Sequence, residues 1–294
     1  MPQDTAAMLA QGDSLMKAGK PQRAMEIYEK VVNSDPSAIA FLARAKAYDS
    51  LDRSDRFLLD VEQALRLDST LAEAHFLRSQ YALRAQDMHR AVHHAGKALD
   101  HSTDENVLAR SRIIRGIGNA DLKRTELAIT DLEQGLAQGV DDVEAMRTLA
   151  RLYDSAGRYE DALKLLEGLS VLEPNDVGHW SNRAFELIQL GRHPEALKII
   201  EQALKIDKDE PVALSNRAFI YYHMGKDREA MQDVERSLNF YPANAYALRT
   251  RALLRLRKGD TVKACEDLAL SKVLANIPEV NALLKEHCAD QTGR

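Results

Sequence analysis

The chain has 294 residues, a formal net charge of −5, 45% hydrophobic and 29% charged residues. With 5% aromatics, 14 Gly, 8 Pro and abundant Ala and Leu, it favours helix throughout and excludes an all-β fold or a sheet-rich α/β enzyme. The mild acidity gives no strong pull toward nucleic acid or an anionic membrane surface.

The opening segment, MPQDTAAMLAQGDSLMKAGK, has no basic start and no long apolar run, so no secretory signal is expected. No stretch of about 18 apolar residues follows that could span a bilayer. Two cysteines do not make a disulfide framework. A cytoplasmic location is the expectation, although a trimmed mature chain would look the same.

Self-comparison then organises the whole chain. Gly12, Ala45, Ser79, Gly116, Ala150, Ala184, Ala218 and Ala252 recur at spacings of 33, 34, 37, 34, 34, 34 and 34. Twelve positions after each lies a second residue, small in all but one case: Ala24, Phe57, Ala91, Ala128, Ala162, Ala196, Ala230 and Ala264. Between the two falls a turn residue: Gly19, Asp52, Gln86, Lys123, Gly157, Gly191, Gly225 and Gly259. In chain order this gives eight units at approximately 5–37, 38–71, 72–108, 109–142, 143–176, 177–210, 211–244 and 245–277.

Each half-unit repeats its apolar positions at helical spacing and reads as an amphipathic helix. Glycine at the turn supplies the positive φ that ends the first helix. Pro36, Pro174 and Pro242 stop the second. The paired small residues let the two axes approach closely. Phe57 breaks that rule, so the second pair is expected to splay or repack. The fourth unit is the weakest, with Arg112 where a large apolar residue is usual, Lys123 at the turn and three extra residues near 101–107.

These features resemble the tetratricopeptide repeat family over residues 5 to about 278. The sixth unit fits best, with Trp180, Ala184, Leu187, Gly191 and Ala196. The first, fifth and seventh follow with Gly12–Leu15–Gly19–Ala24–Tyr28–Pro36, Met146–Ala150–Tyr153–Gly157–Ala162–Pro174 and Leu214–Ala218–Tyr221–Gly225–Ala230–Pro242. The resemblance implies an all-α solenoid, a right-handed superhelix of eight helix-turn-helix repeats.

Residues 278–290 are expected to form the helix that caps the open apolar end. Pro278 suits its start, and Val280, Leu283, Leu284 and His287 share one face. Folding back, it brings Cys288 near Cys265, either as two buried thiols or as a disulfide. The disulfide would imply an oxidising compartment and count against a cytoplasmic one.

Catalytic signatures are absent. Gly116-Ile117-Gly118 lies in helical sequence with no preceding strand, and no HExxH, CxxC or GxSxG occurs. His89 and His93 are one turn apart, but the sequence sets no third ligand beside them. No enzyme activity, no cofactor and no metal are expected.

What the resemblance implies is a protein or peptide partner on the concave face lined by the first helices, with no nucleic acid and no membrane insertion. Ser-Asn-Arg-Ala occurs at 181–184 and again at 215–218. It sets Asn182 and Asn216 one repeat apart, each with an amide that pairs with a ligand backbone of any sequence. Phe185, Phe219, Tyr222 and Tyr246 are the inward aromatic candidates, with Arg147 and Arg151 on one flank and Arg249 on the other. The carboxylate clamp by which some family members hold chaperone tails is incomplete. Aligned on Asn182 the chain offers Arg147 and Arg151, then Val212 and Asn216; aligned on Asn216 it offers Ser181 and Phe185, then Tyr246 and Thr250. The expected function is a non-enzymatic interaction scaffold, strongest in repeats five to eight. The alternatives are self-association as a structural protein, or service as a regulatory subunit of a membrane or secretion apparatus.

Overall fold

The computed structural model describes residues 3–288, with side chains from Asp4 onward. The described residues form 17 α-helices and no strand. Packed pairs follow one another: α1 (Gln3–Lys17) with α2 (Pro21–Ser34), α3 (Ala38–Ser50) with α4 (Ser54–Leu67), α5 (Ala72–Arg84) with α6 (Met88–His101), and α7 (Glu105–Asp121) with α8 (Thr125–Leu136). After α9 (Val143–Ser155) and α10 (Tyr159–Leu172) come α11 (Val177–Gln189) with α12 (His193–Ile206), α13 (Pro211–His223) with α14 (Asp227–Phe240), and α15 (Ala245–Arg257) with α16 (Thr261–Leu274). A single helix, α17 (Pro278–His287), ends the series.

The punctuation follows from the sequence. All eight turn residues have positive φ, from 55° at Asp52 to 79° at Gly259. Glycine adopts that conformation freely; Asp52, Gln86 and Lys123 bear its steric cost. Side-chain caps at Ser37, Asp87, Asp104, Asp176, Glu210, Asn244 and Asp260 accept from the first-turn amides of the helices that follow. The three extra residues before repeat four lengthen α7 to 17 residues, and α6 still packs against it.

The chain divides into two compact units between Leu149 and Ala150. In the N-terminal unit, Tyr28, Val31, Phe57 and Val61 are at most 1% exposed and anchor one core. The splaying expected at Phe57 does not occur: α3 and α4 stay packed, and the Phe57 ring lies 5.9 Å from Tyr81 in the following pair. The bulk is absorbed by repacking toward that neighbour. In the C-terminal unit, Ile200, Leu214 and Ile220 are fully buried and Phe219 and Leu253 nearly so. A separate cluster of Ala264, Cys265, Leu268, Ile277 and Val280 seats α17 on α16.

An unanticipated regularity links the pairs. The residue before each small slot is Arg in six repeats. In four of them it makes a two-pronged ion pair with an Asp sixteen positions on: Arg44–Asp60, Arg115–Asp131, Arg217–Asp233 and Arg251–Asp267. Where that position is His94 or Ile199, the arginine reaches back to the preceding pair, Arg78 to Glu62 and Arg183 to Glu167. Repeats one and five carry neither member, having Gln11 with Ile27 and Leu149 with Leu165.

Candidate peptide-binding face

The first helices α11, α13 and α15 of the C-terminal unit bring most of the candidate residues together. Phe185 on α11 meets Tyr246 on α15 edge to face, with centroids 5.8 Å apart. Phe219 stacks on Tyr222 at 6.3 Å. The Arg249 guanidinium lies 3.9 Å from the Phe219 centroid and 5.4 Å from that of Tyr246, and Arg257 lies 3.9 Å from Tyr222. Aromatic rings and cations so arranged attract each other by about 0.5–2 kcal/mol per pair.

The members differ in what they can offer. Asn182 is exposed, Tyr246 is 37% exposed, and Phe185 and Tyr222 are half-buried. Arg151 is exposed on α9; Arg147 is exposed on the part of α9 that belongs to the N-terminal unit. Asn216 does not present its amide as expected: it is buried, and its Nδ2 donates to the Ser181 carbonyl at 3.2 Å. The same Ser-Asn-Arg-Ala sequence thus places one asparagine outside and the other between α11 and α13. Arg249, expected on the flank of the face, is 7% exposed and pairs with Glu279 of α17 at 3.2 Å. Phe219 is also largely buried, at 8%. Arg251 and Arg255 both pair with Asp267, and Arg257 donates to Asp227 and to the Tyr222 carbonyl.

Two titratable groups near this face are shifted. Burial, then the neighbouring His193, Arg249 and Arg257, pushes His223 down to about 4, so its ring is neutral at pH 7. Burial, reinforced by Asp154, pushes Glu186 up to about 8. Its Oε2 has no hydrogen-bond partner. A protonated carboxyl fits that site, because an uncompensated buried charge is costly.

A second concavity lies wholly in the N-terminal unit. Ile113, Ile114 and Ile117 of α7 line a cleft of about 170 Å³ with Gln80 and Leu83. Arg84 and Arg110, and Asp142 and Glu144, complete its lining. Nothing in the repeat pattern of the sequence marks this cleft.

Cys265 and Cys288 are joined as a disulfide with Cα atoms 5.8 Å apart, which closes the alternative of two free thiols. No helix among the described residues is long and apolar enough to cross a membrane.

Comparison with known proteins agrees with this architecture. The tetratricopeptide repeat family matches residues 9–72, 120–182 and 187–254. The chain belongs to the tetratricopeptide repeat family. Among solved structures, YrrB, a TPR protein with an unusual peptide-binding site, is similar at a TM-score of 0.56 and 20% identity, over 64% of this chain and 95% of that one. The C-terminal part of a TPR repeat-containing protein from Cytophaga hutchinsonii is similar at 0.55 and 17%, over 82% and 98%. PilW, a widely conserved type IV pilus biogenesis factor, is similar at 0.54 and 22%, over 70% and 94%. These likenesses are likenesses of fold. No curated protein sequence matches.

Proposed function

We propose that this chain is a non-enzymatic interaction protein that grips an extended peptide on the first-helix face of its C-terminal unit. The observation that carries the reading is the half-exposed Phe185–Tyr246 contact between α11 and α15, with exposed Asn182 one turn away on α11 and half-buried Tyr222 stacked on Phe219 of α13. Partly exposed aromatics beside an exposed amide have the composition of a binding hot spot. Asn216, Phe219 and Arg249 support that surface from beneath, and Arg151 lies exposed on the preceding first helix. An acidic ligand group reaching Arg249 has to displace Glu279.

The cleft over Ile113, Ile114 and Ile117 favours a second contact, for an apolar side chain flanked by charged residues of both signs. The Cys265–Cys288 bond favours an oxidising compartment over the cytoplasm.

The test is selection of binders from a displayed library of unstructured peptides. Binders are then measured against the intact chain, Asn182→Ala/Tyr246→Ala and Ile114→Asp. Loss of at least about tenfold in Asn182→Ala/Tyr246→Ala, with helicity unchanged, supports the C-terminal face. Loss confined to Ile114→Asp moves the site to the N-terminal cleft. Peptide binding unaffected by either overturns the groove reading and leaves self-association to be measured by concentration-dependent mass.

A further inference from the structure

Three ligand-bearing side chains converge where α10 ends and α11 begins. Glu173, Asp176 and His179 are spaced three residues apart, and one donor atom from each lies within 4.8 Å of the others. His179 Nε2 is 2.8 Å from Glu173 Oε2 and 3.6 Å from Asp176 Oδ2. Two ligands at about 2.1 Å from one tetrahedral ion are about 3.4 Å apart. The two distances from the imidazole are therefore within about 0.6 Å of that spacing, and no donor pair in the cluster exceeds 4.8 Å.

The repeat itself supplies an independent observation. The position of His179 is occupied in five of the seven other repeats by Ala40, Ala74, Ala145, Ala213 and Ala247, each fully buried, and in the first and fourth by Ala7 and Ser111. Packing between neighbouring pairs calls for a methyl group there. In this repeat alone it is an imidazole, 3% exposed, with Nε2 aimed at two carboxylates. The residue before it departs as well: Gly178 stands where the others have Ile39, Glu73, Glu144, Val212 and Tyr246. A β-carbon at 178 would lie 2.9 Å from Asp176 Oδ1, so the glycine makes room for that carboxylate. Asp176 uses Oδ1 to cap α11 through the Gly178 amide at 2.8 Å, and Oδ2 is the oxygen that faces the imidazole. The Trp180 indole, donating to the Pro174 carbonyl at 2.9 Å, fixes the turn.

We propose that Glu173, Asp176 and His179 bind one divalent transition ion of the zinc class. One imidazole nitrogen and two carboxylate oxygens make a donor set suited to it, and the half-exposed side of the cluster leaves a position for water. The ion takes the place of the proton that Nε2 now donates to Glu173, and the ring proton moves to Nδ1. Two carboxylates neutralise the dication, and the bond network ties the end of repeat five to the start of repeat six.

Calorimetric titration of zinc into the full chain tests this, with His179→Ala, Glu173→Gln and His93→Ala as variants. Alanine is the repeat's own residue at 179 and Glu173 is partly exposed, so both variants keep the fold, with helicity as the control. One site per chain is expected, weakened by at least about tenfold in His179→Ala and in Glu173→Gln and unchanged in His93→Ala. Zinc should raise the unfolding temperature of the unaltered chain and not that of His179→Ala. Equal affinity in the unaltered chain and His179→Ala, loss in His93→Ala instead, or no saturable binding up to millimolar zinc would each overturn the proposal.

Discussion

Removing the arginine from one of the two-pronged pairs should destabilise the chain well beyond an ordinary surface change. Arg217 Nε and Nη2 donate to Asp233 at 2.7 and 2.8 Å, with side-chain exposures of 21% and 8%. Arg217→Ala leaves the Asp233 carboxylate almost dry and uncompensated. Breaking a fully buried pair costs about 3–5 kcal/mol. Because water reaches part of this guanidinium, about 2–3 kcal/mol is expected here. The internal reference is Arg183→Ala, whose partner Glu167 is 50% exposed at 2.8 Å; an exposed pair is worth about 1 kcal/mol or less. Urea unfolding followed by circular dichroism gives both numbers, and the double variant Arg217→Ala/Asp233→Ala recovers part of the loss. If Arg217→Ala costs no more than Arg183→Ala, the view that buried pairs hold the helices together is refuted.

Three further outcomes follow from the same structure. Folded Glu186 holds its proton to about pH 8 and unfolded Glu186 to about 4.5, so the folded state binds more protons in between and stability falls as pH rises through that window. Glu186→Gln should flatten the decline, which is on the order of 4 kcal/mol, in urea midpoints taken at pH 5 and pH 8.5. Lys123→Gly relieves a left-handed lysine at φ 61° and should raise the thermal midpoint by the equivalent of about 1 kcal/mol, whereas Lys123→Ala should not. Reduction of Cys265–Cys288 opens a loop of 23 residues; about 3 kcal/mol of local stability should be lost, read as faster hydrogen exchange in α17 and α16 but not in α11–α12.

The repeat register was legible because it is written in small residues and turns, which short-range physics fixes: Ala184 and Ala196 must touch, and Gly191 must turn between them. The binding face was legible only in part. Asn182 and Asn216 share a sequence context, yet one is outside and the other donates to Ser181, because the packing of α11 on α13 decides it and repeat-level sequence does not. Arg249 read as a surface charge since its partner, Glu279, arrives from thirty residues on. The Arg–Asp pairs, by contrast, were open to discovery: an offset of sixteen, joint in four repeats and jointly absent in two, is a pattern in the sequence itself. Phe57 shows the converse, an exception whose effect a neighbour, Tyr81, absorbs.

That offset also sets how interchangeable the repeats are. A repeat holding both Arg and Asp carries that ion pair wherever it is copied, so a duplication of repeat two, four, seven or eight keeps it whole; Arg236 of repeat seven and the buried Arg249 of repeat eight still rely on Asp209 and Glu279 from outside their own repeats. Repeats three and six lend their arginines to Glu62 and Glu167 of the pair before. Transplanted behind a different neighbour, each would leave a guanidinium without its acceptor. The chain is thus a mixture of portable modules and members bound to one place in line, and recombination that respects the difference should yield folded arrays where indiscriminate shuffling does not.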